Sequence, residues 1–600
     1  MSRLAVVLVT DVDCWVQSYA CGNFLLGQGS SVLWASRPFA AEIDRGERKQ
    51  YEAGSLLVTA APDDGVHWLS AARERFDAEF VDVRFVEGFE GLRLRPVRIG
   101  VYGGGGAPYN HARILSELGF LTDFVSPRDI TGGRLSEFDA LVVPGGGMLA
   151  MKGQLDPLGK EGCEAISHFV RDGGMYLGFC AGAFDAAIVA DSFVAVCPYQ
   201  PSLRLVNAAV WNSSDTEWIG LESPGVGVIT ARNLRPEHPV MVGMPEEFEI
   251  THYNGPLFEP CLDGVEGASE PFGLAAVAGF TDEFTPSEYF LRFSEYDRGA
   301  AANDDLLISR AAQEERLNIV GGYYGLGRVI LFGSHPEFGG DFLGDKWGLA
   351  ARMLANAAFW QASHVAEPRP VNRTPVLGTA ISYPPGHGLT GVSRRLGPVM
   401  RRVERLRARS KGVEPSWLSD ELAMSIFGLS GQEIWDRGLA AFDDVAEKME
   451  LTLRGEKELV AEALKLAQVL RNTGATEALS MADDLEMAVL KLEEAIHYRT
   501  PPEWHQDFGY EGVLQILDRM ESQVQAAKDN LGVSLEPSSN PYQHFESSPY
   551  QLMVGVYVSA LGLLTNAWLL LQVHKTRLSE LVFKGRTVLN MAGEEQPIPS

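Results

Sequence analysis

The sequence predicts an α/β protein in three parts. A small α/β domain covers residues 1–95, a parallel sheet clothed by helices covers 96–365, and an all-α helical bundle covers 391–600, with a linker at 366–390. Three observations predict this. From residue 96 onward, β-rich runs alternate with Gly loops and amphipathic helical stretches, the order that builds a parallel sheet covered on both faces. The stretch AEPRPVNRTPVLGTAISYPPGHG (366–388) is dense in Pro and Gly and reads as a linker. Beyond it, apolar residues recur at three- and four-residue spacing in segments that end near Gly or Pro. At 600 residues the chain is also too long for one core.

In the first part, LAVVLVT, SVLWAS and SLLVTA are strand-like runs separated by polar or Gly-containing turns. Asp11, Asp13 and Cys14 follow the first run, but no His or Cys partner lies at metal spacing, so a polar turn and no metal are expected. In the second part, VRIGVY is followed by GGGGAPYNHARILSELGF, a Gly loop and an amphipathic helix. FDALVVPGGGM repeats strand then Gly loop, CEAISHFVRDGGMYLGFCAGAF gives helix, strand and turn, and GRVILFGSHPEF (327–338) adds a late strand. Ligands of open α/β sheets bind beyond the carboxyl ends of the strands, and all four of these ends carry Gly-rich or reactive residues. In the third part, stretches such as EKELVAEALKLAQVLRNTG and YEGVLQILDRMESQVQAAKDNLG carry the bundle periodicity.

Composition narrows the function. A net charge of -28 argues against a nucleic-acid or anionic-membrane surface, because such partners require clustered Lys and Arg. The one basic cluster, RRLGPVMRRVERLRARSK (394–411), is spaced as a solvated helix face rather than a phosphate strip. The six cysteines form no CxxC pair, so neither a zinc ribbon nor a disulfide framework is indicated. The apolar run before Asp11 is too short for a signal segment, so a cytoplasmic setting is expected. PYQLMVGVYVSALGLLTNAWLLLQV (549–573) carries no charge; a buried bundle helix is expected there, with a membrane span as the alternative.

The chemistry gathers at GGMYLGFCAGAFDA (173–186). Gly178 and Gly182 flank Cys180 at two-residue spacing, as in a nucleophile elbow, where a strained strand-to-helix turn lifts the reactive atom above the sheet. The following helix N-terminus favours a thiolate, and the Ala181 N–H would face a developing oxyanion. A thiol nucleophile needs a base and a group to orient it, and SHPEF supplies His335 and Glu337. Gly145 or Gly146 of VVPGGGM is the candidate second oxyanion donor. GGGGAPYNH lacks the Gly-Lys-Ser/Thr ending of a phosphate loop and is expected to wall the thiol pocket, with Tyr102, Gly103, Gly104 and Asn110. THYNGP places His252, Tyr253 and Asn254 together, either as a substrate wall or as a polar turn. EWHQD (503–507) is not expected to bind metal, and no cofactor is expected.

GVYGGGGA, LVVPGGG, GFCAGAF and SHPEF together resemble the class I glutamine amidotransferase-like superfamily over residues 96–362. Within it, the stretch is similar to the domain at the N-terminus of fungal biotin–protein ligases. The resemblance implies a flavodoxin-like sheet with Cys180 as nucleophile, His335 as base and Glu337 as orienter. Glutamine-hydrolysing members carry Gln four residues after the nucleophile; here Phe184 stands there, an aromatic as in the ligase-associated pattern. Glutamine is therefore not carried over as substrate. No Gly-Arg-rich adenylate loop is present, so biotin ligation is not carried over either.

The resulting expectation is a Cys-His-Glu thiol hydrolase or amidotransferase acting on a small-molecule or peptide amide through an acyl-thioester. The alternatives are a non-catalytic binding or scaffold protein that keeps the pocket, and a peptidase. The C-terminal helices are the expected surface for a protein partner or self-association.

Overall fold

A computed structural model describes residues 5–11, 13–43, 46–60, 65–146, 154–188, 203–212, 226–253, 255–261, 264–280, 310–338, 348–364, 387–410, 431–501, 509–529 and 560–594. The N-terminal strands are β1 (Ala5–Leu8), β2 (Ser31–Ala35), β3 (Phe39–Glu42), β4 (Arg48–Tyr51), β5 (Leu56–Thr59), β6 (Phe80–Val83), β7 (Phe85–Glu87) and β8 (Gly91–Arg93). They make an antiparallel sheet in the order β6-β1-β5-β2-β8 and a ribbon β4-β3-β7, with helices α1 (Trp15–Gly27) and α2 (Gly65–Arg75).

The large sheet begins with β9 (Arg98–Tyr102), β10 (Leu121–Val125), β11 (Ala140–Val143) and β12 (Met175–Phe179). It continues through β13 (Ala208–Val210), β14 (Val226–Asn233), β15 (Glu247–Tyr253), β16 (Phe258–Pro260), β17 (Phe272–Phe280), β18 (Leu317–Tyr324) and β19 (Gly327–Phe332). In the order β10-β9-β11-β12-β19 every neighbouring pair is parallel. From β19 the sheet continues antiparallel through β18, β17, β14 and β15. The sheet is thus mixed, where the sequence predicts a parallel one. The difference arises because β18 and β19 are joined by a tight turn at Gly325 and Leu326, which reverses the chain without a crossover helix.

Strand periodicity divides the core. Val101, Val142, Leu177 and Ile330 enter one apolar cluster, whereas Tyr102, Leu141, Val143, Tyr176 and Leu331 enter a second on the other face. Helices α3 (Tyr109–Glu117), α4 (Pro127–Thr131), α5 (Gly159–Arg171), α6 (Ala181–Ala186) and α7 (Ala351–Ala362) belong to this layer. The C-terminal helices are α8 (His387–Ser410), α9 (Gly431–Thr473), α10 (Thr476–His497), α11 (Val513–Asp529) and α12 (Ala560–Glu594). The first cluster runs without a break from Val6 through Val101 to Leu570, so the bundle shares its core with the sheet.

Residues 549–559 of the uncharged segment lie outside the described residues; Leu561, Leu564, Leu569 and Leu570 are buried in α12. No helix among the described residues is long and apolar enough to cross a membrane. On the solvent-facing side of the bundle, Arg395 of the basic helix α8 reaches Asp518 at 2.5 Å and Arg402 reaches Glu521 at 2.5 Å, with both arginines exposed. EWHQD lies outside the described residues.

The bundle is also pinned electrostatically. Asp123 on β10 is met by Arg98 of β9 at 2.5 Å and by Lys491 of α10 at 2.6 Å. Burial favours the neutral carboxyl, but Lys491 and Arg98 outweigh it and hold Asp123 below the usual carboxylate range. Asp123→Ala removes the shared partner of Lys491 and Arg98, of which Arg98 keeps Glu137 at 3.6 Å, and is expected to cost about 3 kcal/mol, read as a lower urea midpoint. Because the folded pKa is depressed, this contribution is full above the ordinary aspartate range near pH 4 and is lost as pH falls through the folded value. The variant should therefore converge with the parent chain in acid.

Candidate active site

Cys180 follows β12 and precedes α6 with φ 47° and ψ −108°, a conformation that L-residues other than glycine rarely adopt. Close approach explains the flanking glycines. A Cβ on Gly178 would lie 2.5 Å from the Gly182 carbonyl oxygen, and one on Gly182 would run into the Val143 carbonyl. The Cys180 N–H donates to Phe332 O at 2.8 Å, tying the turn to the end of β19. Cys180 is 8% exposed, and its Sγ lies 3.4 Å from the Tyr253 carbonyl oxygen. Ala181 opens α6, so its N–H has no carbonyl partner one turn earlier within the helix.

His335 stands just beyond β19. Its N–H donates to Thr251 O at 2.7 Å, forming an antiparallel bridge to β15, and its ring stacks on Phe338 at 4.9 Å. Nδ1 sits 2.6 Å from Glu337 Oε1, and both side chains are buried. Burial alone would push this imidazole toward neutrality; Glu337 and Cys180 outweigh it and raise its pKa to about 10. Glu337 is held below its ordinary range: burial opposes the charge, and His111 and His335 overcome it.

Gly145 is where thiol and ring meet. A Cβ there would lie 2.8 Å from Cys180 Cβ, 2.6 Å from His335 Cε1 and 3.4 Å from His335 Nε2. Its carbonyl accepts from the Ala107 N–H at 2.8 Å, and Gln154 Nε2 donates to Pro144 O at 2.7 Å. Gly146 has φ 98° and faces the backbone of Gly106 and Ala107.

The proposed pocket residues divide into two groups. Tyr253 lies on the thiol side, its carbonyl against the sulfur and its ring 6.3 Å from that of His335. His252 is buried beside it, with Nδ1 2.9 Å from Ser334 Oγ. Burial, reinforced by His335, brings His252 down to about 3, so it is neutral. Tyr102 instead donates its hydroxyl to Gln154 O at 2.6 Å inside the second apolar cluster, which also holds Phe184. Gly103 faces the bundle: its carbonyl accepts from the Tyr510 N–H at 2.8 Å, and a Cβ would lie 2.7 Å from Tyr510 Cβ. Gly104 packs on Tyr102 and Pro127, and Asn110 is half-buried on α3. Asn254 lies outside the described residues.

Two buried titratable groups were not singled out by the sequence. His111, next to Asn110, places Nε2 3.4 Å from Glu337 Oε1. Asp185 is fully buried, neither oxygen has a hydrogen-bond partner among the described residues, and burial followed by Cys180 pushes its carboxyl far above the ordinary range. It faces Tyr102, Cys163 and Tyr176, on the side of the second apolar cluster. The only signal for either is a position within the quoted motifs. Among the described residues, no group of three or more His, Cys, Asp or Glu side chains is arranged to hold a metal ion.

The site can be set beside known proteins. By fold, the chain is similar to a GMP synthase subunit from Thermoplasma acidophilum at 15% identity and a TM-score of 0.27, covering 45% of this chain and 96% of that one. It is likewise similar to a ThuA-like protein from Bacteroides uniformis at 13% identity and a TM-score of 0.25, covering 44% and 90%. No curated protein matches the chain. The family described as biotin-protein ligase, N terminal, matches residues 135–191, a segment that holds Gly145, Gly146, Cys180, Ala181 and Phe184 but neither His335 nor Glu337.

Proposed function

We propose that the chain is a thiol-dependent amide hydrolase or amidotransferase of the class I glutamine amidotransferase-like kind, with the parallel half of its sheet as the flavodoxin-like platform and Cys180 at the elbow. The observation that carries this reading is the meeting of the Cys180 Cβ and the His335 ring over Gly145, with Glu337 2.6 Å behind the ring. The sulfur, its proton held by His335, attacks the substrate carbonyl carbon, and the electron pair of the C=O bond moves to its oxygen. The N–H groups of Ala181 and of Gly145 or Gly146 are the donors for that oxyanion. His335, protonated at neutral pH, gives its proton to the leaving nitrogen as the C–N bond breaks. Water, deprotonated by the now neutral His335, then attacks the acyl carbon; the C–S bond breaks to release the acid, and the sulfur returns to its starting state beside protonated His335.

The substrate is a small-molecule or peptide amide. Phe184 lies in the apolar core where an amide-binding Gln would stand, so substrate recognition falls to other residues, of which Tyr253 is nearest the sulfur. The test is labelling of the full chain with a glutamine-like chloroketone, followed by peptide mapping. Cys180 should be modified first, ahead of Cys14, Cys21 and Cys163, whose thiols burial pushes up. Labelling of Cys180 no faster than free cysteine would overturn the reading and leave a binding protein with an inert thiol.

A further inference from the structure

We infer that His111 is a positioning residue for the His335–Glu337 pair, turning an Nε2–H toward the Glu337 carboxylate and steadying its charge inside a buried site. The inference rests on the proposed function for the role of that pair, but its geometry stands independently. Glu337 Oε1 has two imidazoles near it, His335 Nδ1 at 2.6 Å and His111 Nε2 at 3.4 Å. Among the described residues, Glu337 Oε2 and His111 Nε2 have no hydrogen-bond partner, and all three side chains are buried. A carboxylate in such surroundings is costly unless donors face it.

The α3 helix fixes where His111 stands. Its ring packs on Phe179 at 4.4 Å, and Phe179 stacks on Phe332 at 4.8 Å, so the imidazole is backed by the last residues of β12 and β19. Burial lowers the pKa of His111 more than Glu337 raises it, which keeps the ring neutral. It therefore acts as an oriented dipole, while His335 carries the positive charge. The other titratable groups around the pair are Cys180 and His252, which is neutral. The tautomer of His111 is decisive. A proton on Nδ1 could serve the Ala107 carbonyl one turn back, but would leave the bare Nε2 lone pair against a carboxylate.

The experiment is a long-range ¹H–¹⁵N correlation on the full chain labelled at histidine, followed across pH. In the parent chain, the His111 shifts should report a neutral ring protonated at Nε2. In His111→Phe, the His335 midpoint should fall by about one pH unit, because the carboxylate that supports its charge is less stable. His111→Gln, whose amide donor reaches the Nε2 position, should recover at least half of that shift. An Nδ1-protonated His111 in the parent chain, or an unmoved His335 midpoint in the Phe variant, would overturn the inference. If the Phe variant does not fold, the parent tautomer still decides. Failure of the proposed function reads out separately as slow labelling of Cys180.

Discussion

Replacing Cys180 by glycine should abolish thiol-dependent turnover and, at the same time, give a protein more stable than the alanine variant. Loss of the nucleophile is expected to reduce the rate by at least about 10³-fold in either variant. The stability difference follows from the backbone. At φ 47° and ψ −108° any residue with a Cβ is strained, by about 1–3 kcal/mol. Alanine keeps that strain and loses only the sulfur. Glycine releases it and surrenders about 0.5–1 kcal/mol of unfolded-chain entropy. The glycine variant should therefore exceed the alanine variant by up to about 2.5 kcal/mol in urea melts, with about 1 kcal/mol as the central value. An alanine variant as stable as the glycine one would mean that the turn stores no strain, and an active alanine variant would remove Cys180 from the mechanism.

What the sequence could say about this molecule depended on the range of the interactions involved. ALVV and MYLGF are legible as buried parallel strands because strands covered on both faces read as unbroken apolar runs, and their carboxyl ends localised Cys180. The antiparallel half was not legible, because its pairing is non-local: β14 pairs with β17 across a register shift at Thr230 and Ala231, and Thr251 reaches His335 over 84 positions of chain (335 − 251). THYNGP therefore could not be told from a polar turn until β15 brought it to SHPEF. Asn110 and His111 show a different limit. One residue is a rotation of about 100° on a helix, and the motif alone does not say which of two neighbours turns inward. Gly103 shows a third limit: its loop reads as a ligand wall, yet Tyr510, about 400 residues later, packs against it.

Gly145→Ala should separate the thiol from the imidazole with only a moderate loss of stability. Gly145 does not have a positive φ, so the alanine backbone is unstrained and the effect is purely one of space. The new methyl would lie 2.6 Å from His335 Cε1 and 2.8 Å from Cys180 Cβ, closer than packed carbons tolerate. Neither neighbour yields easily. The ring is backed by Phe338, held through its N–H by Thr251 and fixed at Nδ1 by Glu337; the thiol is held in its turn by the bond to Phe332. Displacement by several tenths of an ångström to 1 Å is expected to slow chloroketone labelling and turnover by about 10²-fold, at a stability cost of about 1–3 kcal/mol. Gly146→Ala is the counterpart. Its added methyl meets nothing nearer than 3.6 Å, but φ 98° makes the backbone strained. That variant should lose stability while keeping most of its labelling rate. The two neighbours thus distinguish a shortage of space between reacting groups from strain in the loop that carries them. If Gly145→Ala labels at the parent rate, the ring and the sulfur do not converge on that glycine, and the proposed mechanism fails with them.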